Sequence, residues 1–235
     1  MTTVDYVLRL GDDALITAQR LGAWYAAGPE MEEDVALANI ALDQLGAARL
    51  LLTYAGELEG AGRDEDALAY RRSAGEFRNC RLVEQPEPDF AFVIAKLLLL
   101  SSFQQPLYEA LAAAGDERLA AIGGKALKES AYHLDHGTLW TLRLGDGTDE
   151  SHRRVQEAFD TLWPYTGGLF VGDAVGPVEF ASLRDTWQST VEDVLRRATL
   201  EVPSPSPEPT GDRPQLVALL AEMQELHRAH PGARW

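Results

Sequence analysis

Cysteine is nearly absent from this sequence, since Cys80 is the only one in 235 residues. A chain with one cysteine cannot build an intramolecular disulfide, a cysteine-rich zinc site or a cysteine-ligated iron–sulfur cluster from its own residues. We therefore expect a protein that folds without cross-links in the reducing cytoplasm. A chain of this length can bury a substantial hydrophobic core without such staples.

Positive charge is also scarce, with 21 Lys and Arg against 37 Asp and Glu and a formal net charge of -16. Nucleic acids and anionic membranes attract proteins through a surplus of cations, so we expect neither as a partner. The first ten residues lack the basic and apolar regions of a secretion signal. The most apolar run, residues 90–100, contains Lys96 and is shorter than the roughly 20 residues that span a bilayer.

Alternating hydrophobicity, the pattern of a half-buried strand, is missing as well. Apolar residues recur at helical spacing almost throughout, which predicts an all-α fold. Four long helices are predicted, and Pro106 is expected to kink the third because proline removes an internal amide donor. They extend from near Asp12 to Gly28, from Pro29 to Leu58, from Asp89 to Ala114, and from near Asp116 to Gly145.

The spacing of these helices along the chain predicts how they connect. Residues 60–89 are more polar and predict a long crossover with a short helix at 64–72. Two helix pairs joined by such a crossover are typical of ferritin-like four-helix bundles. We therefore predict a single ferritin-like domain over residues 1–235, with the bundle core at about 12–145 and additional C-terminal helices at about 149–235. The proline-dense segment 203–209 predicts an extended surface link before a last helix at 214–229.

The predicted second helix has few polar side chains. Across residues 35–52 they are Asn39, Asp43, Gln44 and Arg49. Apolar residues therefore surround nearly the whole helix, which must be covered on several sides by the chain's own helices or by a partner subunit. We predict that Asn39, Asp43 and Arg49 are buried polar groups with hydrogen-bond partners or belong to an interface between subunits.

The sequence lacks the ligand motif of the di-iron ferritin-like proteins, in which two helices each supply a Glu and two others each supply Glu-x-x-His. No Glu in this chain is followed by His three residues later. At the corresponding positions the second helix has Gln44 and Ala47, and the fourth has Ser130 and His133. Neutral Gln and Ser with a non-ligating Ala cannot balance the charge of two adjacent cations. We predict no metal, cofactor or catalytic residue in this chain.

Three side chains of the fourth helix allow a different interpretation. Glu129, His133 and His136 lie on adjoining parts of one helical face, so a single metal ion could use them. A Glu–His hydrogen bond near the bundle surface is the simpler interpretation, and Glu129 is also a candidate for an interface between subunits. The alternative function is a divergent metal-dependent ferritin-like oxidoreductase with ligands from these residues and other carboxylates. A helical module that binds a small molecule stays open as a third class.

Several segments spread over most of the chain carry a family resemblance. They are residues 8–12 (LRLGD), 36–43 (ALANIALD), 45–46 (LG), 82–86 (LVEQP), 125–133 (KALKESAYH), 143–149 (RLGDGTD), 220–224 (LAEMQ) and the terminal 231–235. On these segments the chain resembles the C-subunit family of the bacterial phenylacetyl-CoA epoxidases, which are multicomponent oxygenases of phenylacetate breakdown.

The resemblance implies a non-catalytic, structural subunit that stabilises a homologous catalytic subunit, in which the di-iron centre lies. That partner would epoxidise the ring of phenylacetyl-CoA with dioxygen, with electrons from NADPH passed through a separate reductase that holds FAD and an iron–sulfur cluster. The implied hetero-oligomer also includes a further small subunit, and a homodimer is the expectation for the chain in isolation. In the catalytic relatives the two Glu-x-x-His motifs fall at Gln44 with Ala47 and at Ser130 with His133, which are vestigial positions here.

Overall fold

The computed structural model describes residues 2–172 and 176–233. The terminal resemblance at 231–235 therefore lies partly outside the described residues. Within them the chain forms nine α-helices and no strand, which confirms the all-α prediction. The helices are α1 (Thr3–Gly22), α2 (Met31–Glu59), α3 (Glu65–Tyr70), α4 (Arg81–Glu84), α5 (Phe90–Ala112), α6 (Glu117–Gly145), α7 (Asp149–Leu162), α8 (Arg184–Arg197) and α9 (Pro214–Ala229).

Helix α1 begins well before Asp12, so the predicted start of the first helix was wrong. Thr2 caps the helix, and its side chain accepts a hydrogen bond from the backbone amide of Asp5 while the Asp5 carboxylate accepts from Thr2. Such a capping box satisfies amides that have no partner inside the helix. Asp12 is fully buried in the middle of α1 and binds another side chain instead.

The other three long helices begin and end within a few residues of their predicted bounds. The carboxylates of Asp89 and Asp116 accept hydrogen bonds from the third amide of α5 and of α6, at 3.2 and 2.9 Å. Helix α2 ends at Gly60, whose φ of 67° places it in the left-handed region that glycine adopts without strain. Helix α5 continues through Pro106 to Ala112.

The four long helices pack as two hairpins, α1 with α2 and α5 with α6, and the crossover 60–89 carries α3 and α4 between them. This is the ferritin-like connectivity that the sequence predicted. Helices α7 and α8 pack on the α5–α6 hairpin, and α9 packs on α3 and α4. Residues 201–210, which include the proline-dense segment, are neither helix nor strand, as predicted.

A buried ion pair joins α1 to the crossover. Asp12 and Arg72 are both buried, and both terminal guanidinium nitrogens of Arg72 donate to the carboxylate. The backbone amide of Arg78 adds a third hydrogen bond to Asp12 at 2.8 Å, and the guanidinium lies over the ring of Phe77 at 4.2 Å. A buried charge needs this degree of compensation, because each lost partner would leave an unpaired ion in the core.

A second buried pair lies one residue further along α1. The Nε of Arg9 donates to Asp13 at 2.7 Å, and the same carboxylate accepts from the backbone amide of Cys80, also at 2.7 Å. Arg9 also donates to the carbonyl of Gly168 at 2.9 Å. Burial raises the pKa of the Cys80 thiol, so the lone cysteine stays protonated.

An ion pair and buried hydrogen bonds also join the C-terminal residues 213–224 to the crossover. Arg213 forms an ion pair with the buried carboxylate of Glu84, and its Nε donates at 2.7 Å. Asn79 donates to the same oxygen of Glu84 at 3.0 Å. In α9, Gln224 is buried and its amide donates to the carbonyls of Ala69 and of Arg72.

Helices α2 and α5 are long and apolar enough to cross a membrane by length and composition alone. Most of the apolar window of α5 is buried inside the chain itself, and core helices pass the same test. The expectation that no membrane is a partner stays a prediction.

Candidate functional site

The positions of the missing ligand motif meet in the bundle interior. Gln44 and Ala47 on α2 lie opposite Ser130 and His133 on α6, and all four are buried. A fifth buried polar residue, Gln104 on α5, joins them. Gln104 was not among the residues singled out from the sequence, because nothing in the sequence shows which partner a Gln in an apolar helix meets when the helices pack.

Gln44 and Gln104 form a reciprocal amide pair across the bundle. The Nε2 of Gln44 donates to Oε1 of Gln104 at 2.9 Å, and the Nε2 of Gln104 donates to Oε1 of Gln44 at 3.1 Å. Each amide thus supplies a donor and an acceptor to the other. The pair joins α2 to α5 in the interior of the bundle.

His133 extends this pair towards the edge of the bundle. Its Nδ1 lies 3.4 Å from Nε2 of Gln44, and its Nε2 lies 3.2 Å from Oδ2 of Asp43. Since the second hydrogen of the Gln44 amide faces Nδ1, the imidazole carries its proton on Nε2 and donates it to Asp43. If both amides were flipped, Oε1 of Gln44 would face Nδ1, and the proton of the neutral imidazole would have to lie on Nδ1. The unprotonated Nε2 would then point its lone pair at the carboxylate of Asp43, which is unfavourable. The directions of all these hydrogen bonds are therefore coupled.

Burial lowers the pKa of His133 below its usual range, although the hydrogen bond and charge of Asp43 act in the opposite direction. The imidazole is therefore neutral near neutral pH. The network consists of two neutral amides and a neutral imidazole, with one half-buried carboxylate at its outer end. We call Gln44, Gln104, His133 and Asp43 the central network.

The residues present do not fit a pair of iron ions. Ala47 has no donor atom, and the Ser130 hydroxyl donates to the carbonyl of Leu127 in its own helix at 3.1 Å. Within residues 2–172 and 176–233, no group of three or more His, Cys, Asp or Glu side chains is placed to hold a metal ion. Hard divalent cations need several anionic oxygens, whereas the central network offers one carboxylate and one imidazole.

Glu129 and His136 lie apart from the central network. Glu129 accepts from Lys125 at 2.7 Å, so it does not form the expected hydrogen bond with a histidine of its own helix. The Nε2 of His136 lies 3.1 Å from Oε2 of Glu33 on α2, without the alignment of a hydrogen bond. The predicted face of Glu129, His133 and His136 therefore separates into three contacts with different partners.

Two polar residues of α2, which were expected to be buried or to lie in an interface between subunits, are exposed on the surface of the chain. Asn39 is exposed, which corrects the expectation that it is a buried group. Arg49 is exposed too, and its Nε lies 3.3 Å from Glu65 on α3. Asp43 is half-buried at the edge of the central network. The assignment of Asn39, Arg49 and Asp43 to an interface between subunits stays a prediction.

The outward face of α2 also carries several apolar side chains. Met31, Val35, Leu42 and Leu45 are exposed, and Ala38 between them is partly exposed. We call residues 31, 35, 38, 42 and 45 the α2 stripe. A shallow groove runs beside the stripe between α1 and α2, and its sides include Tyr70 from α3 and Met223 from α9.

Comparisons with known proteins agree over the length of the chain. A family model described as "Phenylacetic acid catabolic protein" matches residues 1–235. The chain is 43% identical over 243 residues to the C subunit of 1,2-phenylacetyl-CoA epoxidase from Escherichia coli (strain K12). The match covers 98% of this chain and 98% of that protein.

Proposed function

Because the chain belongs to the phenylacetic acid catabolic protein family, we propose that it is the non-catalytic, structural subunit of a phenylacetyl-CoA epoxidase. The name of its Escherichia coli relative supports a role as a subunit of that complex. In this proposal the di-iron centre belongs to a homologous subunit, which epoxidises the ring. NADPH, FAD and an iron–sulfur cluster serve a separate reductase, and the complex works in the cytoplasm.

The central network is the observation that carries the proposal. Its amides and imidazole satisfy one another at the place where the di-iron relatives need ligands. Buried polar networks that are fully satisfied hold helices in one arrangement, and partly satisfied ones destabilise a core. The network therefore supports a role in keeping α2, α5 and α6 in fixed register.

A structural role also requires a surface for another subunit to cover. Exposed contiguous apolar patches on a soluble chain mark interaction sites, and the α2 stripe is such a patch. Burying an apolar surface of standard interface size gives tens of kcal/mol gross at about 25 cal/mol per Å², most of which is offset by the costs of association. The companion subunit would thus depend on this chain for stability.

Co-expression with the catalytic subunit from the same source tests the proposal. We expect the catalytic subunit to be poorly soluble or inactive alone, and to consume phenylacetyl-CoA with dioxygen and reductase once this chain is present. Elemental analysis after iron supplementation should place the iron in the catalytic subunit. A catalytic subunit that is soluble and fully active without this chain would contradict the structural role.

The metal-dependent alternative gives a different result in the same experiment. Near-stoichiometric iron in this chain by itself, lost in His133→Ala but kept in the control variant His230→Ala, would identify a metal-dependent oxidoreductase instead. His230 is exposed beyond the end of α9 and lies outside the central network, so its substitution tests for non-specific binding by histidine.

A further inference from the structure

We propose that the α2 stripe and the groove beside it bind one long helix of the companion subunit, and that this helix carries basic residues beside an apolar stripe of its own. The inference rests on the proposed function, because it names the surface through which the structural subunit acts. It is carried by the spacing, exposure and charge of described residues on α1, α2, α3 and α9.

The spacing of the stripe is that of a coiled-coil seam. Residues 31, 35, 38, 42 and 45 are separated by four, three, four and three positions, and the next position in the series is Arg49. An apolar repeat of 3.5 residues keeps one line of side chains facing a neighbouring helix that packs at a shallow angle. The buried positions 37, 41, 44, 48, 51 and 55 follow the same spacing along another side of α2 and contact other helices of the chain itself, so the exposed series is the one left without a partner helix.

The members of the stripe are exposed far beyond what isolated surface apolar residues require. Met31 is 74% exposed, Val35 56%, Leu42 63% and Leu45 46%. They form one line that is roughly 21 Å long at about 1.5 Å rise per residue. A single helix of four turns would cover this line and remove all of its side chains from water.

The groove beside the stripe is lined mainly by small and aliphatic side chains, which allow a helix backbone to approach closely. Its apolar lining continues that of the stripe, with which it shares Ala38, Leu42 and Leu45. The lining residues are Leu15, Ala18, Gln19, Gly22, Tyr25, Ala38, Ala41, Leu42, Leu45, Tyr70 and Met223.

Charge favours a companion subunit over a second copy of this chain. Glu32 is exposed in the first turn of α2, and Glu65 and Asp66 line the continuation of the groove past Leu45. The one basic residue in line with the stripe, Arg49, is already paired with Glu65. Two chains of net charge -16 would bring like charges together, while flanking Lys or Arg on a companion helix would complement Glu32, Glu65 and Asp66.

Charged substitutions within the stripe test the inference, with a matched variant outside it. Val35→Glu and Leu42→Glu place a carboxylate in the seam, and Val217→Glu is the control. Val217 lies in the first turns of α9 and is 55% exposed, which matches Val35 in residue type, exposure and position near a helix start. Circular dichroism and thermal unfolding of each full-length variant check that the fold is kept.

We expect Val35→Glu and Leu42→Glu each to weaken binding to the companion subunit by about 100-fold, as for central interface residues. Val217→Glu should bind like the wild type. In the same assay Asp66→Lys should slow association and reduce its dependence on salt. Binding is measured as recovery of this chain with the tagged catalytic subunit and as the dissociation constant of the purified partners.

Each result is decisive. Equal binding by all variants, with the complex still active, would overturn the location and leave the proposed function intact. Absence of binding by the wild type would overturn the proposed function itself. If the two stripe variants convert a dimer of this chain into monomers without changing companion binding, the occupant is a second copy and the inference is wrong.

Discussion

The reciprocal amide pair of Gln44 and Gln104 offers a quantitative test of the central network. Replacing Gln104 with Met preserves side-chain volume but leaves Oε1 and one Nε2 hydrogen of Gln44 without partners. Each unsatisfied buried group costs about 1–3 kcal/mol, so Gln104→Met should destabilise the chain by about 2–6 kcal/mol. For a chain of this size that is a decrease in melting temperature of about 4 °C or more.

The double variant separates the network from simple packing. Gln44→Met alone leaves the Gln104 amide and the acceptor Nδ1 of His133 without hydrogen-bond partners. The double variant Gln44→Met with Gln104→Met leaves only Nδ1 without a partner. The double variant should therefore be more stable than the sum of the single effects by about 4 kcal/mol or more, since four fewer groups are left unsatisfied at about 1–3 kcal/mol each. Urea unfolding of the four proteins measures this coupling. Single effects under about 0.5 kcal/mol, or additivity within about 0.5 kcal/mol, would refute the assigned hydrogen bonds.

The buried imidazole and a closely packed glycine give two further tests. Burial holds the pKa of His133 below 6.5, the usual value for histidine, so the unfolded chain binds the extra proton first and stability falls as the pH drops through that value. His133→Gln should lose this part of the pH dependence in urea unfolding, and an unchanged profile would contradict a neutral buried imidazole. A Cβ on Gly56 would lie 2.2 Å from the carbonyl oxygen of Arg63, so Gly56→Ala should destabilise by on the order of 1–3 kcal/mol. Gly124→Ala, with no atom within 4 Å, should instead stabilise by about 0.5–1 kcal/mol, and equal melting temperatures for the two variants would show that the backbone contact at Gly56 is not tight.

The long helices were predictable because each shows a periodic apolar pattern between residues that typically begin or end a helix. Asp89 and Asp116 serve as caps where the pattern starts, and Gly60 ends α2. The start of the first helix was wrongly predicted at Asp12, because an Asp before an apolar run is typically a helix cap. Its true role depends on Arg72, sixty positions away in the sequence, and no local pattern encodes that pairing.

The faces of α2 were harder to predict than its bounds. Apolar side chains lie on all sides of α2, so the hydrophobic pattern of the sequence does not indicate which side of the helix is buried and which is exposed. Asn39, expected either to be buried or to belong to an interface between subunits, is exposed in the chain. Most of the central network was predictable, since the missing ligand motif pointed to Gln44 and His133 and the polar positions of α2 pointed to Asp43, while Gln104 emerges only from the packing of α5 against α2.

The ion pair between Glu84 and Arg213 has a consequence for biosynthesis. A nascent chain exposes the crossover to water long before residue 213 leaves the ribosome, and until then the carboxylate of Glu84 lacks its guanidinium. Burying that charge alone is unfavourable, so the packing around Glu84 is complete only once residue 213 has been synthesised. Fragments that end before residue 213 are therefore poor substitutes for the whole polypeptide in recombinant work.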